Sequence, residues 1–170
     1  MNSSKTTVKD IVCIAAMTAV LETAKFVLNP IPNVELVTLL VIVYTKQFGW
    51  KKTLMTVLLF ALIECLYWGF ATWSIVYFYM WPLLVLLAYL CRNMDSVWIQ
   101  ASLAGFFGLF FGAFCSIVQL IIAGPQAALA WWAAGLSYDL VHGVSNFIIC
   151  LLLYKPLNKA LEIVVARYGF

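Results

Sequence analysis

Charge is what this chain of 170 residues has least of: Asp, Glu, Lys and Arg together make up 10%, against about 25% in an ordinary soluble domain. The deficit excludes a disordered chain, which stays unfolded through high charge and low hydrophobicity. The ten Lys and Arg residues form no strip of the kind that binds nucleic acid, so no nucleic-acid partner is expected. Cysteines stand singly at Cys13, Cys65, Cys91, Cys115 and Cys150. Without Cys-x-x-Cys or His spacing they read as small packing residues, with no disulfide framework or metal site. The phosphate loop Gly-x-x-x-x-Gly-Lys-Ser/Thr, the zinc motif His-Glu-x-x-His and the nucleophile turn Gly-x-Ser-x-Gly are missing. No catalytic residue and no cofactor is therefore expected, and the chain is not read as an enzyme. Apolar residues fill the sequence instead, at 65% with a mean hydropathy of +1.02. A water-soluble globule of this size could not bury so much apolar surface. The composition is that of an integral membrane protein, all-α and in one domain.

A spanning helix takes about 20 apolar residues, and six segments fit: approximately 10–28, 34–48, 51–68, 73–91, 96–123 and 130–154. A polar, partly amphipathic tail runs on to Phe170. Asn29-Pro30-Ile31-Pro32-Asn33 removes backbone donors and offers Asn33 as an N-cap, while Gly49, Gly69 and Gly124-Pro125 mark later turns. Thr7-Val-Lys-Asp10 resembles a capping box opening helix 1. Pro82 is expected to kink helix 4.

With the N- and C-termini cytoplasmic, the inner segments carry Lys5, Lys9, Lys46, Lys51, Lys52, Arg92, Lys155, Lys159 and Arg167. The outer loops 29–33, 69–72 and 124–129 carry no Lys or Arg, and the tenth basic residue, Lys25, sits near the outer end of helix 1. This asymmetry follows the positive-inside rule. It also bears on helix 2, whose 15 residues reach only about 22 Å. If that helix did not cross, every later loop would change sides and the bias would collapse. The first apolar stretch contains Glu22 and Lys25 and no small-residue cleavage site, so it reads as helix 1 and not as a signal peptide.

An ionisable residue inside a bilayer costs at least about 2.5 kcal/mol and needs a reason. The candidates are Glu22 and Lys25 in helix 1, Glu35 at the top of helix 2, Glu64 in helix 3, and Asp139 and His142 in helix 6, with Asn146 below them. In the orientation above all occupy the outer half, and inner stretches such as 38–45, 54–63, 83–89 and 147–153 contain none. An ion path would need polar groups at all depths, whereas a cavity open to the outside needs them only in that half. At about 100° per residue, Trp132, Gly135, Asp139, His142 and Asn146 share one stripe of helix 6. Two readings stay open for it, a hydrogen-bond ladder to neighbouring helices and direct ligand contact. Glu22 and Lys25 could neutralise each other at i,i+3. Glu35 could sit in interfacial water, and Glu64 has no sequence-local partner. Aromatics crowd the same end, Trp68, Trp73 and Tyr77 around the helix 3–4 turn and Trp132 in helix 6. They read either as an interfacial belt or as a ring-stacking pocket. Small residues line Ala15-xxx-Ala19 in helix 1 and Gly105, Gly108 and Gly112 in helix 5. Such faces let helices approach closely, inside the bundle or, for Ala15 and Ala19, against a second protein.

The six-helix layout, the Ala15-xxx-Ala19 face, Ile31-Pro-Asn-Val-Glu-Leu-Val-Thr38 before helix 2, and Ser137-Tyr-Asp-Leu-Val-His-Gly-Val-Ser-Asn-Phe147 followed by Leu153-Tyr-Lys-Pro-Leu157 carry a resemblance. The chain resembles the substrate-binding S component of an energy-coupling factor (ECF) vitamin transporter. The resemblance implies a multi-pass protein of a bacterial plasma membrane, with an outward-facing pocket for a micronutrient formed by the outer helix halves and the helix 1–2 loop. It also implies docking, partly through Ala15 and Ala19, onto a transmembrane coupling protein powered by two ATPase subunits. The acids Glu22, Glu35, Glu64 and Asp139 outnumber Lys25 by a formal charge of −3, so a neutral or cationic, donor-rich heterocycle is the expected solute. The other functional class the sequence admits is a stand-alone ion- or proton-coupled transporter or small channel, which needs polar groups in the inner half. An intramembrane enzyme would need a nucleophile on the Asp139–His142 stripe, and none is there.

Overall fold

A computed structural model describes residues 7–169; Lys5 and Phe170 lie outside them. Among the described residues the secondary structure is helical throughout: α1 (Val8–Leu28), α2 (Val37–Gln47), α3 (Trp50–Trp68), α4 (Thr72–Leu90), α5 (Val97–Leu109), α6 (Phe111–Ala123) and α7 (Pro125–Tyr168). Four stretches are long and apolar enough to cross a membrane: α1, α4, the α5–α6 run of 27 residues, and α7. Helix α3 has comparable length but carries Lys51, Lys52 and Glu64, and α2 is a shorter apolar helix.

Local chemistry sets most of the boundaries. The Thr7 N–H donates to Asp10 Oδ2 (2.9 Å) and the Asp10 N–H to Thr7 Oγ1 (3.2 Å), closing the capping box that opens α1. Gly49, Gly69 and Gly124 each take a positive φ at a turn, and Pro125 starts α7 at its first position, where the missing N–H costs nothing. Two boundaries differ from the expected ones. Asn33 is not an N-cap; it adopts the left-handed region at φ 58°, and α2 begins only at Val37. With Pro30 and Pro32 withholding donors, 29–36 is a non-helical segment. Glu35 supplies the missing end group by accepting the Thr38 N–H at 2.8 Å. At the other end, α7 runs beyond residue 154, through Pro156, to Tyr168. Leu157 and Leu161 pack against the core there, and Leu161 and Val164 face α1 across an apolar groove. Helix α4 is likewise continuous through Pro82.

Helix α2 is the centre of the bundle. Residues 37–45 are buried without exception, as a helix apolar on every side must be, and α1, α3, α4, α5 and α7 all pack around it. The tightest crossing lies between α5 and α7. A Cβ on Gly108 would stand 2.9 Å from Gly143 Cα, and one on Gly105 3.1 Å from Phe147 Cβ, so the small-residue face of helix 5 serves internal packing. Two ion pairs lie at the end opposite the 29–36 segment, Lys52–Asp10 (2.9 Å) and Lys46–Asp95 (2.5 Å). The Lys46 ammonium holds the Asp95 carboxyl below the usual carboxylate range.

Replacing Gly108 by Ala forces backbone apart and is expected to destabilise the bundle by about 1–3 kcal/mol. At Gly135 an added Cβ meets nothing within 4 Å, so Gly135→Ala is expected to be neutral or stabilising by up to about 1 kcal/mol through helix propensity. Thermal unfolding of the two variants in the same detergent checks the contrast.

Candidate solute-binding cavity

The polar side chains inside the bundle gather at the end that holds 29–36. Lys25, in the last turn of α1, forms an ion pair with Glu64 of α3 and donates to Tyr77 Oη of α4 at 3.1 Å. Its Nζ also stands 4.7 Å from the centroid of the Tyr77 ring, 5.5 Å from Trp73 and 5.7 Å from Phe60. Glu64 is 1% exposed, and a carboxylate so deep needs a compensating cation. That need sends Lys25 across to α3 and away from the i,i+3 partner considered for it. Both Glu22 carboxylate oxygens are buried with no hydrogen-bond partner among the described residues.

The polar stripe of helix 6 belongs to α7, and its members bind three different elements. Asp139 Oδ1 accepts the Gly112 N–H at 2.8 Å, beside the Phe110 break between α5 and α6. A Cβ on Gly112 would lie 2.5 Å from the Asp139 carboxylate, so glycine there makes the contact possible. His142 Nε2 lies 3.4 Å from Glu35 Oε1, and Asn146 Nδ2 donates to Thr38 Oγ1 at 3.2 Å. Ser145 Oγ donates to the Asn33 carbonyl at 2.8 Å. These bonds fasten the 29–36 segment and the head of α2 to α7.

Between the segment and helices α1, α4, α6 and α7 lies a cavity of about 210 Å³. Of the residues singled out from sequence, Lys25, Glu35, Tyr77 and His142 line it. Glu64 stands behind Lys25, Asp139 and Asn146 hold helices together, and Glu22 is not on the wall. Trp132 is half-buried, with its indole N–H toward the Asp139 carboxyl. Trp68 and Trp73 are exposed; Trp73 meets the site edge-on at the Tyr77 ring, 5.7 Å between centroids, and beside the Lys25 ammonium. Ala15 and Ala19 are exposed on α1, away from the cavity. The charge surplus of the four acids is thus spread through this end of the bundle, with Lys25 and Glu35 alone among those five charges on the wall. Trp81, Phe111, Asn29, Pro32 and Asn33 complete much of the lining. Trp81 was legible as the i+4 neighbour of Tyr77 on one helix face, whereas nothing near Phe111 in the sequence signals its place. The other grooves, between α5 and α7 and beside α1, α2 and α7, are lined by apolar side chains almost throughout.

The chain matches no protein-family model, no curated protein and no solved structure.

Removing one member of the buried pair leaves the other uncompensated. Lys25→Met is expected to cost about 3 kcal/mol of stability, and Lys25→Met with Glu64→Met to recover most of it. Thermal unfolding of both variants measures the difference, and equal losses would show that the pair does not act as a unit.

Proposed function

We propose that this chain is a substrate-binding S component of an ECF-type importer in a bacterial plasma membrane. In this reading six helices cross the bilayer with both termini cytoplasmic. The cavity captures a water-soluble vitamin or related heterocyclic micronutrient, neutral or cationic, from outside. The observation that carries the reading is the 29–36 segment. It is irregular backbone between α1 and α2, and it walls the cavity where Lys25, Glu35 and His142 converge.

Further features support it. Helix α2 reaches only about 16 Å at 1.5 Å per residue, short of a hydrocarbon core of about 30 Å, and the 29–36 segment continues from its head. Lys9, Lys46, Lys51, Lys52 and Arg92 lie toward the opposite end, the cytoplasmic one by the positive-inside rule, which turns the cavity outward. Tyr77, Trp81 and Phe111 give ring surfaces for an aromatic solute. The small face of α1 at Ala15 and Ala19 is uncovered, as docking to a coupling protein requires. In this reading two partner ATPases supply ATP hydrolysis, in keeping with a sequence that carries no phosphate loop.

Purification of the tagged chain from native membranes is expected to bring down a transmembrane coupling protein and two ATPase subunits. Ala15→Leu with Ala19→Leu is expected to reduce that recovery at least tenfold while the chain remains helical. Solute flux in liposomes containing this chain alone would contradict the proposal and favour a secondary transporter or channel.

A further inference from the structure

The walls of the cavity differ in hydrogen-bonding character. On α1 and α4 they donate. The Lys25 ammonium has three N–H bonds, of which Glu64 and Tyr77 Oη take two. Tyr77 accepts from Lys25, and its own O–H has no acceptor among the described residues. Two donors thus stand uncommitted on one side, the third Lys25 N–H and the Tyr77 O–H. From the 29–36 segment and α7 comes the acceptor, Glu35, whose Oε1 is engaged only by the long 3.4 Å contact with His142. A buried donor without an acceptor is costly, so a solute gains most by placing an acceptor against the α4 wall.

Size and charge narrow the choice. At about 210 Å³ the cavity falls below the roughly 300–1,000 Å³ that holds a drug-sized ligand, so it suits one or two rings. The ring faces nearest Glu64 are already taken by the Lys25 ammonium, 4.7 Å from the Tyr77 centroid. A ligand cation there would meet a like charge. We infer that the cavity takes a planar, uncharged one- or two-ring heterocycle carrying a carbonyl acceptor toward Lys25 and Tyr77 and an N–H toward Glu35. This inference rests on the solute-capture reading and narrows it within the neutral class.

The test is calorimetric titration of the full chain in nanodiscs with matched probes: hypoxanthine against purine, 4-pyrimidinone against pyrimidine, and thiamine as the cation. Each oxo compound is expected to bind at least tenfold more tightly than its parent ring. Tyr77→Phe keeps the aromatic ring and removes one donor. It is expected to weaken the oxo compounds about tenfold, the loss of one hydrogen bond of about 1.4 kcal/mol, and the parent rings less than twofold. That selective loss separates donor removal from general damage to the fold. Equal or tighter binding of the parent rings or of thiamine would overturn the edge assignment and leave solute capture standing. No binding of any probe by a helical, monodisperse protein would overturn this inference too; recovery of the ATPases with the chain then decides separately whether the import reading survives.

Discussion

Backbone that leaves the helix gives up its intrahelical hydrogen bonds and needs other partners. The stretch from Asn29 to Leu36 finds several of them by folding against its neighbours. The Ile31 N–H donates to the Leu28 carbonyl at 2.9 Å and the Val34 N–H to Ile31 at 3.3 Å. Ser145 caps the Asn33 carbonyl, and Glu35 caps the Thr38 N–H. Because the segment is tied to α7 and to the head of α2, it stands away from α4 and α6 on its other side, and the space between is the cavity. A regular helix over the same residues would have satisfied its own backbone and had no need of these ties.

The same logic governs the charges. Among fully buried side chains the acids and the histidine are Glu64, Asp139 and His142, all at the end that holds this segment. Farther down, buried hydroxyls and an amide return bonds to the backbone, as Thr45 does to the Val41 carbonyl (2.7 Å) and Gln100 to Cys91 and Met94 (2.9 Å each). A bundle built this way concentrates its polarity where solute would enter and keeps the other half dry. An importer subunit that hands transport to partners fits that pattern better than a channel, which needs a polar path along its whole length.

Much of this was legible in the sequence because it is local. The Thr7–Asp10 box, the glycine turns and the double-proline break follow from the residues at each place. What escaped depends on distant packing. Local spacing offers Glu22 to Lys25, yet α1 lies against α3 and a buried Glu64 claims the ammonium. The left-handed Asn33 shifts the start of α2, which moves Glu35 out of the helix and into the cavity wall. The Asp139–His142–Asn146 stripe was visible as one face, but its separate partners in α6, the loop and α2 were not. Phe111 joins the lining only because the α5–α6 run is interrupted at Phe110, beside the carboxylate of a residue 27 positions downstream in α7.

The most direct measurement is native mass spectrometry of the chain released from nanodiscs made from the membranes in which it is produced. The expected result is a one-to-one adduct of a single small heterocycle, lost when Phe111→Ala removes a ring from the cavity wall and retained in Trp68→Ala. Spectra that show only lipid adducts or the bare chain across growth media would contradict the claim that this cavity holds a solute.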